Sequence, residues 1–355
     1  MRLLRIILII SNLLVLLLTI MAYLAPLISP KHVWFLQFAG MAYPFLLLFN
    51  VLFVVTWLLL RKRYFILSLV VILIGWSHVR HFVGFSFCSK KSSDRSIRIL
   101  TYNVDNFSSL LTGAQEIRRK NAFEKFIKAE QPDIICLQES FITNTEYNHR
   151  IKHFPALAAY PWVFHPVEKG MVIFSKFPAS KSSQIEIDGD NVNTANGANF
   201  ADLQIRGKTV RLIITHLQSN SVRERADDVI EDKFRSTKTR RTALNVIRKI
   251  RNMSYFRSSQ SEAIRDFIAK SPHPVVVAGD FNDTPQSYTY RQISTGLQDT
   301  FKEKGAGLGV TYGGNIPGLR IDYILADPAF EVLSCKIPKV PFSDHYPVIA
   351  EIAIP

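Results

Sequence analysis

The first 89 residues contain neither aspartate nor glutamate, although the whole chain of 355 residues carries 29 acidic residues. Seven basic residues lie in this stretch, so half of the formal net charge of +14 comes from the first quarter of the chain. Cysteine is also scarce. Cys88, Cys136 and Cys335 are the only three, and no two of them form a Cys-x-x-Cys pair. A disulfide framework and a structural zinc site of that type are therefore excluded.

Long apolar runs occupy the acid-free stretch instead. Residues 6–27 form an uncharged run, and residues 33–60 form a second one of 28 residues. A helix needs roughly 20 apolar residues to cross the hydrocarbon core of a bilayer, so both runs are long enough. A third run of 16 residues, between Arg63 and Arg80, spans only if its flanking residues reach the interface. The sequence predicts a transmembrane segment over residues 1–88, with three helices at about 6–27, 36–60 and 64–84.

The basic residues of this segment predict its orientation. Arg2 and Arg5 precede the first run, and a basic triplet at 61–63 follows the second, whereas Lys31 stands alone in the loop between them. The positive-inside rule places the two basic clusters in the cytoplasm. Three spans then put the rest of the chain on the outer face, which in a bacterium is the periplasmic side of the inner membrane. If the third run does not cross, the rest is cytoplasmic.

A hydrophilic linker at residues 89–96 separates this segment from a domain at residues 97–355, in which short apolar runs alternate with helical patterns. The strand candidates are 97–102, 133–137, 172–174, 210–215, 275–278, 321–325 and 348–354, and the helix candidates are 114–130, 225–253 and 261–270. Helices between strands indicate an α/β or α+β layered domain.

Polar residues follow several of these strands and predict a shared site. They are Asn103 and Asp105, Glu139, His216, Asp280 and Asn282, Asp322, and the pair Asp344 and His345. Each alone is an ordinary turn or cap residue, but in layered α/β domains the ends of neighbouring strands meet at ligand sites. Carboxylate and amide oxygens are the ligands of hard cations such as Mg²⁺ or Mn²⁺. Such a cation would stabilise a phosphoryl transition state.

Six short segments in fixed order resemble the endonuclease/exonuclease/phosphatase (DNase I-like) superfamily. They are Thr-Tyr-Asn103-Val-Asp105, Leu-Gln138-Glu139, Thr-His216-Leu-Gln218, Gly-Asp280-Phe-Asn282, Ile-Asp322-Tyr and Ser-Asp344-His345. The resemblance implies a four-layer α/β sandwich, in which two mixed β-sheets pack face to face with helices outside. It also implies hydrolysis of a phosphoric ester by in-line attack of water, without a covalent intermediate.

The resemblance assigns roles to individual residues. Glu139, Asn103 and Asp344 are implied as the metal site, and Asp280 as the residue that orients or deprotonates the water. Asn282, Asn103 and His216 are implied to hold the phosphate. His345 would contact the scissile phosphate, and Asp322 would fix its tautomer and raise its pKa.

The sequence is compatible with several classes of substrate. We expect a membrane-anchored phosphoesterase that hydrolyses phosphodiester or phosphomonoester bonds with Mg²⁺ or Mn²⁺. A dedicated Mg²⁺-dependent endonuclease or exonuclease, a sphingomyelinase-like lipid phosphodiesterase and an inactive membrane-anchored binding module are the alternatives. The expected partners are the lipid bilayer and a phosphorylated substrate, either nucleic acid, a phospholipid headgroup or a small molecule. No protein partner is predicted.

One basic stretch, residues 238–257, has no acidic residue. It could bind nucleic-acid phosphates or anionic lipid headgroups. We favour a solvated helix face instead, with Ala243, Leu244, Ile247 and Ile250 packed inward at helical spacing.

Overall fold

A computed structural model of the chain describes residues 2–86, 95–107, 110, 116–140, 154–165, 170–187, 196–219, 237–314 and 318–354, and for 237–243 it describes the backbone only. Most of the predicted linker at 89–96 and the start of the helix predicted at 225–253 lie outside these residues.

Five helices make up the N-terminal segment. They are α1 (Arg2–Leu24), α2 (Leu36–Met41), α3 (Tyr43–Leu59), α4 (Phe65–Ile74) and α5 (Trp76–Phe82). Among the described residues, α1 is the one helix long and apolar enough to cross a membrane by itself. The bent pair α4 and α5, whose axes differ by 73°, would together make a second, while α3 is apolar but shorter.

Two six-stranded sheets form the core of the domain. The strands are β1 (Val83–Phe85), β2 (Ser96–Asn103), β3 (Ile134–Gln138), β4 (Trp162–Phe164), β5 (Met171–Ser175), β6 (Ala179–Gln184), β7 (Gly197–Ile205), β8 (Lys208–His216), β9 (Val275–Asp280), β10 (Gln298–Asp299), β11 (Ala306–Leu308), β12 (Asp322–Ala326), β13 (Glu331–Lys336) and β14 (Val348–Ala353). Sheet one has the order β13-β14-β2-β3-β5-β4, and sheet two has the order β10-β12-β9-β8-β7-β6. Both sheets are mixed, since β2 and β3 are parallel, as are β8 and β9, whereas the other pairs are antiparallel.

The two sheets pack face to face over an apolar core. Ile99 and Ile173 from sheet one and Leu212 and Ile324 from sheet two belong to this cluster, and all are buried. The remaining helices are α6 (Glu116–Glu130), α7 (Pro155–Ala158), α8 (Thr237–Ala269), α9 (Tyr288–Ser294) and α10 (Thr300–Lys304). Residues of α6 and α7 cover the outer face of sheet one, and residues of α8 and α9 cover that of sheet two. The predicted four-layer sandwich of two mixed sheets is confirmed.

Helix α8 differs from the sequence-based expectation. The patterns at 225–253 and 261–270 predicted two helices, but a single helix runs from Thr237 to Ala269. Leu244 and Ile247, which we expected to pack inward, are 52% and 39% exposed. That expectation was wrong because the helix turns a different side toward the domain, centred on Ser254, Arg257 and Ser261, which are all buried.

Side-chain and backbone contacts join the N-terminal segment to the domain. Strand β1 pairs antiparallel with β11, so the chain that leaves α5 is hydrogen-bonded into the domain. Arg320 donates to the backbone oxygen of His81 at 2.8 Å, and Lys31 pairs with Glu262 at 2.8 Å. Gly40 lies so close to the backbone of Gln286 that a side chain at this position would collide with it.

Candidate active site

The C-terminal ends of the two parallel strand pairs meet between the sheets. In sheet one, Asn103 ends β2 and is aligned with Gln138, the last residue of β3, so Glu139 follows directly. In sheet two, His216 ends β8 and is aligned with Asp280, the last residue of β9. The parallel direction of each pair therefore brings the polar strand ends to one edge of the sandwich.

Antiparallel neighbours bring the remaining residues to the same edge. Asp322 is the first residue of β12 and lies opposite Asp280 in the register of β12 and β9. His345 precedes β14, whose first residue, Val348, pairs with Thr101 of β2. An imidazole from one sheet and carboxylates from the other thus face each other.

Asp280 is the centre of the cluster and is fully buried. One of its oxygens accepts the backbone N–H of Asn282 at 2.7 Å, and the other accepts from Nδ2 of Asn103 at 3.1 Å and Nδ2 of Asn282 at 3.3 Å. Nε2 of His345 lies 3.9 Å from this second oxygen, and Nε2 of His216 lies 4.0 Å from it. Five polar groups from four separate segments therefore surround one carboxylate.

Unusual backbone conformations hold the strand ends in place. Glu139 and Asn282 both have φ of 51°, in the left-handed region, which is rare for residues other than glycine. Gly279 has φ of 150°, and a Cβ there would collide with the carbonyl oxygen of Thr215 on β8. Such strain tends to occur at functional sites. The close approach of β8 and β9 at Gly279 brings Asp280 beside His216.

A buried ion pair orients His345. Its Nδ1 lies 3.0 and 3.2 Å from the two carboxylate oxygens of Asp322. The Tyr312 ring packs edge-on against the imidazole at 5.1 Å, and Thr311 Oγ1 accepts the backbone N–H of Asp322 at 3.1 Å. Sequence analysis predicted Asp322 and missed Thr311 and Tyr312, because no strand or motif in the sequence brings them near the site.

The two carboxylates and the imidazole shift one another's protonation. Burial lowers the pKa of His345, but the charges of Asp322 and Asp280 outweigh it and raise the pKa to about 10. Burial and the Asp322 charge raise the pKa of Asp280 to about 6, against the opposite influence of both histidines. His345 is thus held protonated, and Asp280 can exchange a proton near neutral pH.

Glu139 stays ionised. Its Oε1 accepts from Nδ2 of Asn103 at 3.0 Å and lies 3.3 Å from Nε2 of His216. Burial raises the pKa of Glu139, but the hydrogen bond and charge of His216 and the hydrogen bond from Asn103 lower it to about 2. Glu139 therefore offers a charged oxygen at neutral pH.

The donor set suits a divalent cation. Asp280, Asp322 and His345 each have a ligand atom within 4.8 Å of those of the other two. Within the described part of the chain, His216 and His345 are the only ion-pair partners of Glu139, Asp280 and Asp322. Three buried or half-buried acids against two imidazoles leave an excess of negative charge, which a bound cation would balance.

The predicted metal residues Asn103 and Asp344 are placed differently from Glu139. Asn103 turns its amide nitrogen toward the carboxylates, while its oxygen accepts the backbone N–H of Asp105 at 3.1 Å. Its amide would have to turn over to offer an oxygen to a metal. Asp344 is half-buried beside Ser343, and its charge contributes to the raised pKa of His345, so it lies at the edge of the cluster.

Helix α8 supports the site through Arg257, which the sequence analysis placed only in the basic stretch, and through Gln260, which it placed in no element. Buried Arg257 donates to the carbonyl oxygen of Gln218 at 2.9 Å and pairs with Asp283 at 3.4 Å. Gln260 accepts the backbone N–H of Gln218 at 2.9 Å. Gln218 lies two residues after His216 in sequence, so α8 braces the segment that carries this histidine.

A family model matches residues 100–345, which contain all of these groups. The chain belongs to the Endonuclease/Exonuclease/phosphatase family. The enzymes named in the family's description hydrolyse phosphoric ester bonds, and the chain is a hydrolase of this class. Enzymes of this family depend on divalent metal ions. A second model, Domain of unknown function (DUF8431), matches residues 5–82. No curated protein matches the chain.

Solved structures of the family share the fold at low sequence identity. The human Nocturnin catalytic domain with bound sulfate is 19% identical, with a TM-score of 0.53 over 77% of this chain and 97% of its own. A humanized D. rerio TDP2 is 17% identical, with a TM-score of 0.52 over 73% and 99%. A family protein from Bacteroides thetaiotaomicron is 15% identical, with a TM-score of 0.51 over 73% and 98%.

Proposed function

We propose that the chain is a membrane-anchored, metal-dependent phosphoesterase that hydrolyses phosphodiester or phosphomonoester bonds by in-line attack of water. The observation that carries this proposal is the cluster around Asp280. A buried carboxylate with a raised pKa faces a protonated imidazole whose other nitrogen is held by Asp322. This arrangement pairs a group that accepts a proton with a cation that stabilises a phosphoryl group.

The proposed mechanism uses the residues as follows. Asp280 orients the attacking water and takes its proton, and Asn282 helps to hold the water and the phosphate. His345 contacts the scissile phosphate and donates a proton to the leaving group, while Asp322 keeps Nδ1 of His345 protonated. Asn103 and His216 bind the phosphate from the side of Glu139. The phosphorus is attacked directly, so no covalent intermediate with the protein forms.

The metal is proposed to bind at Glu139, with Asn103 and Asp344 as further ligands and Mg²⁺ or Mn²⁺ as the ion. The ionised carboxylate of Glu139 fits a hard cation. A bound divalent cation supplies positive charge that balances the negative charge of the phosphoryl oxygens.

The anchor is proposed to be residues 1–88, followed by a linker at 89–96 and the catalytic domain at 97–355. Large apolar side chains on α1, α3 and α4 are exposed, which fits lipid around them. The basic triplet at 61–63 lies between α3 and α4, at the end of the helices away from the domain. By the positive-inside rule this end is cytoplasmic, and in a bacterial inner membrane the catalytic domain would be periplasmic.

A substrate panel tests the proposal. The full chain, purified in detergent, is incubated with supercoiled DNA, RNA, sphingomyelin, inositol phosphates and a bis-aryl phosphate ester, with Mg²⁺ or with EDTA. We expect hydrolysis of at least one ester with Mg²⁺, and none with EDTA. Preference for DNA would indicate a dedicated nuclease, and preference for sphingomyelin would indicate a lipid phosphodiesterase.

A pair of variants distinguishes hydrolysis at the proposed site from hydrolysis by a contaminating enzyme. Asp280→Asn is expected to remove the Mg²⁺-dependent activity. Asp266→Asn makes the same chemical change at an exposed position on α8 and should leave it intact. Full activity in Asp280→Asn would refute the mechanism.

A further inference from the structure

We propose that one side of α8, formed by Leu244, Ile247, Arg248, Arg251 and Tyr255, docks on the anionic surface of the bilayer that holds the N-terminal segment. The proposal rests on the membrane anchoring proposed above. It gives a function to the basic stretch at 238–257, whose sequence pattern favours a solvated helix face.

The five residues share one side of the helix. They stand at positions i, i+3, i+4, i+7 and i+11, which face the same direction at 3.6 residues per turn. Leu244 and Tyr255 are each 52% exposed, Ile247 is 39% exposed, and Arg248 and Arg251 are exposed between them. Apolar and aromatic side chains thus alternate with cations on a side of α8 that does not pack against the domain.

Contacts with the α1–α2 connection place this side beside the proposed anchor. The Arg251 guanidinium lies 5.6 Å from the centre of the Trp34 ring. Lys31 Nζ lies 5.5 Å from the Tyr255 ring and pairs with Glu262 two turns further along α8. The exposed apolar residues of α1 are followed by exposed Leu27 in the α1–α2 connection. The α8 side therefore adjoins the end of the exposed apolar surface that lipid would cover.

The chemistry of this side selects its partner. From position 237 to 261 the helix contains seven basic residues and no acidic ones. Basic residues next to a membrane segment are attracted to anionic headgroups, and aromatic residues favour the interface. Amphipathic helices that lie in the interface combine these features. A second copy of the chain would not neutralise this charge, since it would present the same basic side.

Docking would also fix the distance between the site and the membrane. Arg257 and Gln260 follow Tyr255 by less than two turns and bond the backbone of Gln218, near His216. The same helix therefore contacts the proposed bilayer surface with one part and braces the catalytic cluster with the next.

Fluorescence in nanodiscs tests the docking directly. An environment-sensitive dye is attached to Ile247→Cys in a Cys88→Ser background, since Cys136 and Cys335 are buried. A matched probe at Ala329→Cys lies in the exposed turn between β12 and β13, at the end of the sheets away from Asp322. In discs that contain phosphatidylglycerol, we expect spin-labelled lipids to quench the dye at 247 and not the dye at 329.

Charge variants test the cause of the docking. Arg248→Gln and Arg251→Gln are each expected to lower the ratio of docked to undocked α8 by about fivefold, the effect of one basic residue near an anionic surface. Lys270→Gln removes the same charge beyond the end of α8, about 28 Å from Arg251 at 1.5 Å per residue, and should change nothing. Neutral lipid or high salt should weaken the quenching at 247.

Three outcomes would overturn the proposal. Equal quenching at 247 and 329 in anionic discs would show that this side of α8 does not dock on the bilayer. A response at 247 to DNA or to dimer formation, without one to lipid, would assign the surface to another partner. Release of the chain from discs by carbonate would refute the anchor and the docking together. Because none of these readouts measures hydrolysis, loss of docking with intact Mg²⁺-dependent activity would leave the phosphoesterase proposal standing.

Discussion

The N-terminal segment and the catalytic domain differ in where they place their apolar side chains. In α1, Leu3, Ile7 and Leu14 are 71%, 51% and 55% exposed. In the domain, Ile99 and Ile173 lie between the sheets and are fully buried. Soluble proteins rarely expose such a continuous apolar surface, and this contrast is the observation behind the proposed anchor.

Buried polar groups differ between the two regions as well. Inside the helical segment, Asn12 donates to Ser68 at 2.8 Å and accepts from Trp57 at 3.0 Å, so neutral groups satisfy one another. Inside the domain, Asp280 and His345 are buried as charged or titratable groups. Neutral pairs hold helices together, whereas buried charges are expensive and are retained where chemistry needs them.

The largest expected effect comes from removing the central carboxylate of the domain. Asp280→Asn should lower the rate of Mg²⁺-dependent hydrolysis by about 10²–10⁴-fold, the usual contribution of a general base. The measurement is kcat on whichever substrate the panel identifies. The variant should still fold at neutral pH, because Asp322 keeps its ion pair with His345. If Asp280→Asn lost its fold together with its activity, the role of Asp280 would be structural, and the contrast between the two regions would not hold.

The second effect concerns the junction between the regions. Arg320 pairs with buried Asp299 and also donates to the His81 backbone at the end of α5. Arg320→Met would leave Asp299 buried without its partner, which should cost about 3–5 kcal/mol of unfolding free energy. Chemical denaturation in detergent measures this loss. The double variant Arg320→Met with Asp299→Asn removes both charges and keeps a side-chain oxygen that caps α10, so it should recover part of this loss. Equal loss in both variants would contradict this explanation.

The third effect is a pH dependence of the metal-free domain. The folded-state pKa of His345 is raised from 6.5 to about 10, since the charges of Asp322 and Asp280 outweigh burial. The resulting stability is fully present below pH 6.5 and is lost as the pH rises toward about 10. A loss of at least about 1.4 kcal/mol is expected, which corresponds to one pKa unit. Unfolding in EDTA across this range checks it, and His345→Gln should flatten the curve. An equally steep curve in that variant would assign the loss to another group.

The smallest effect is expected inside the helical segment. Asn12→Leu removes the hydrogen bonds to Ser68 and Trp57 and should cost about 0.6 kcal/mol for each of them, the average for such bonds between membrane helices. The same replacement at Asn103 removes donors to Glu139 and Asp280 and should lower activity as well. Folding and activity assays of both variants measure how the two regions differ in their response to the same replacement. A larger loss at position 12 than at position 103 would reverse it.

Much of the site could be predicted from sequence because its residues stand at strand ends within short motifs. Asn103, Glu139, His216, Asp280 and Asp322 each begin, end or directly follow a strand, and the apolar runs locate those strands. Thr311, Tyr312 and Arg257 could not be found in this way. They reach the site from loops or from a helix whose orientation depends on packing against sheet two.

Patterns in the amino-acid sequence are enough to distinguish the acid-free N-terminal segment from the rest of the chain, to locate seven of the fourteen described strands, and to provide residue types that suit a cation and a phosphate. Those features follow from apolar periodicity and from the chemistry of side chains, which are local properties. Three features emerge only in the folded chain: the side of α8 that faces the domain, the break of the third apolar run between Ile74 and Trp76, and the orientation of the Asn103 amide nitrogen toward the carboxylates. Each depends on contacts between residues far apart in the chain, which local patterns do not encode.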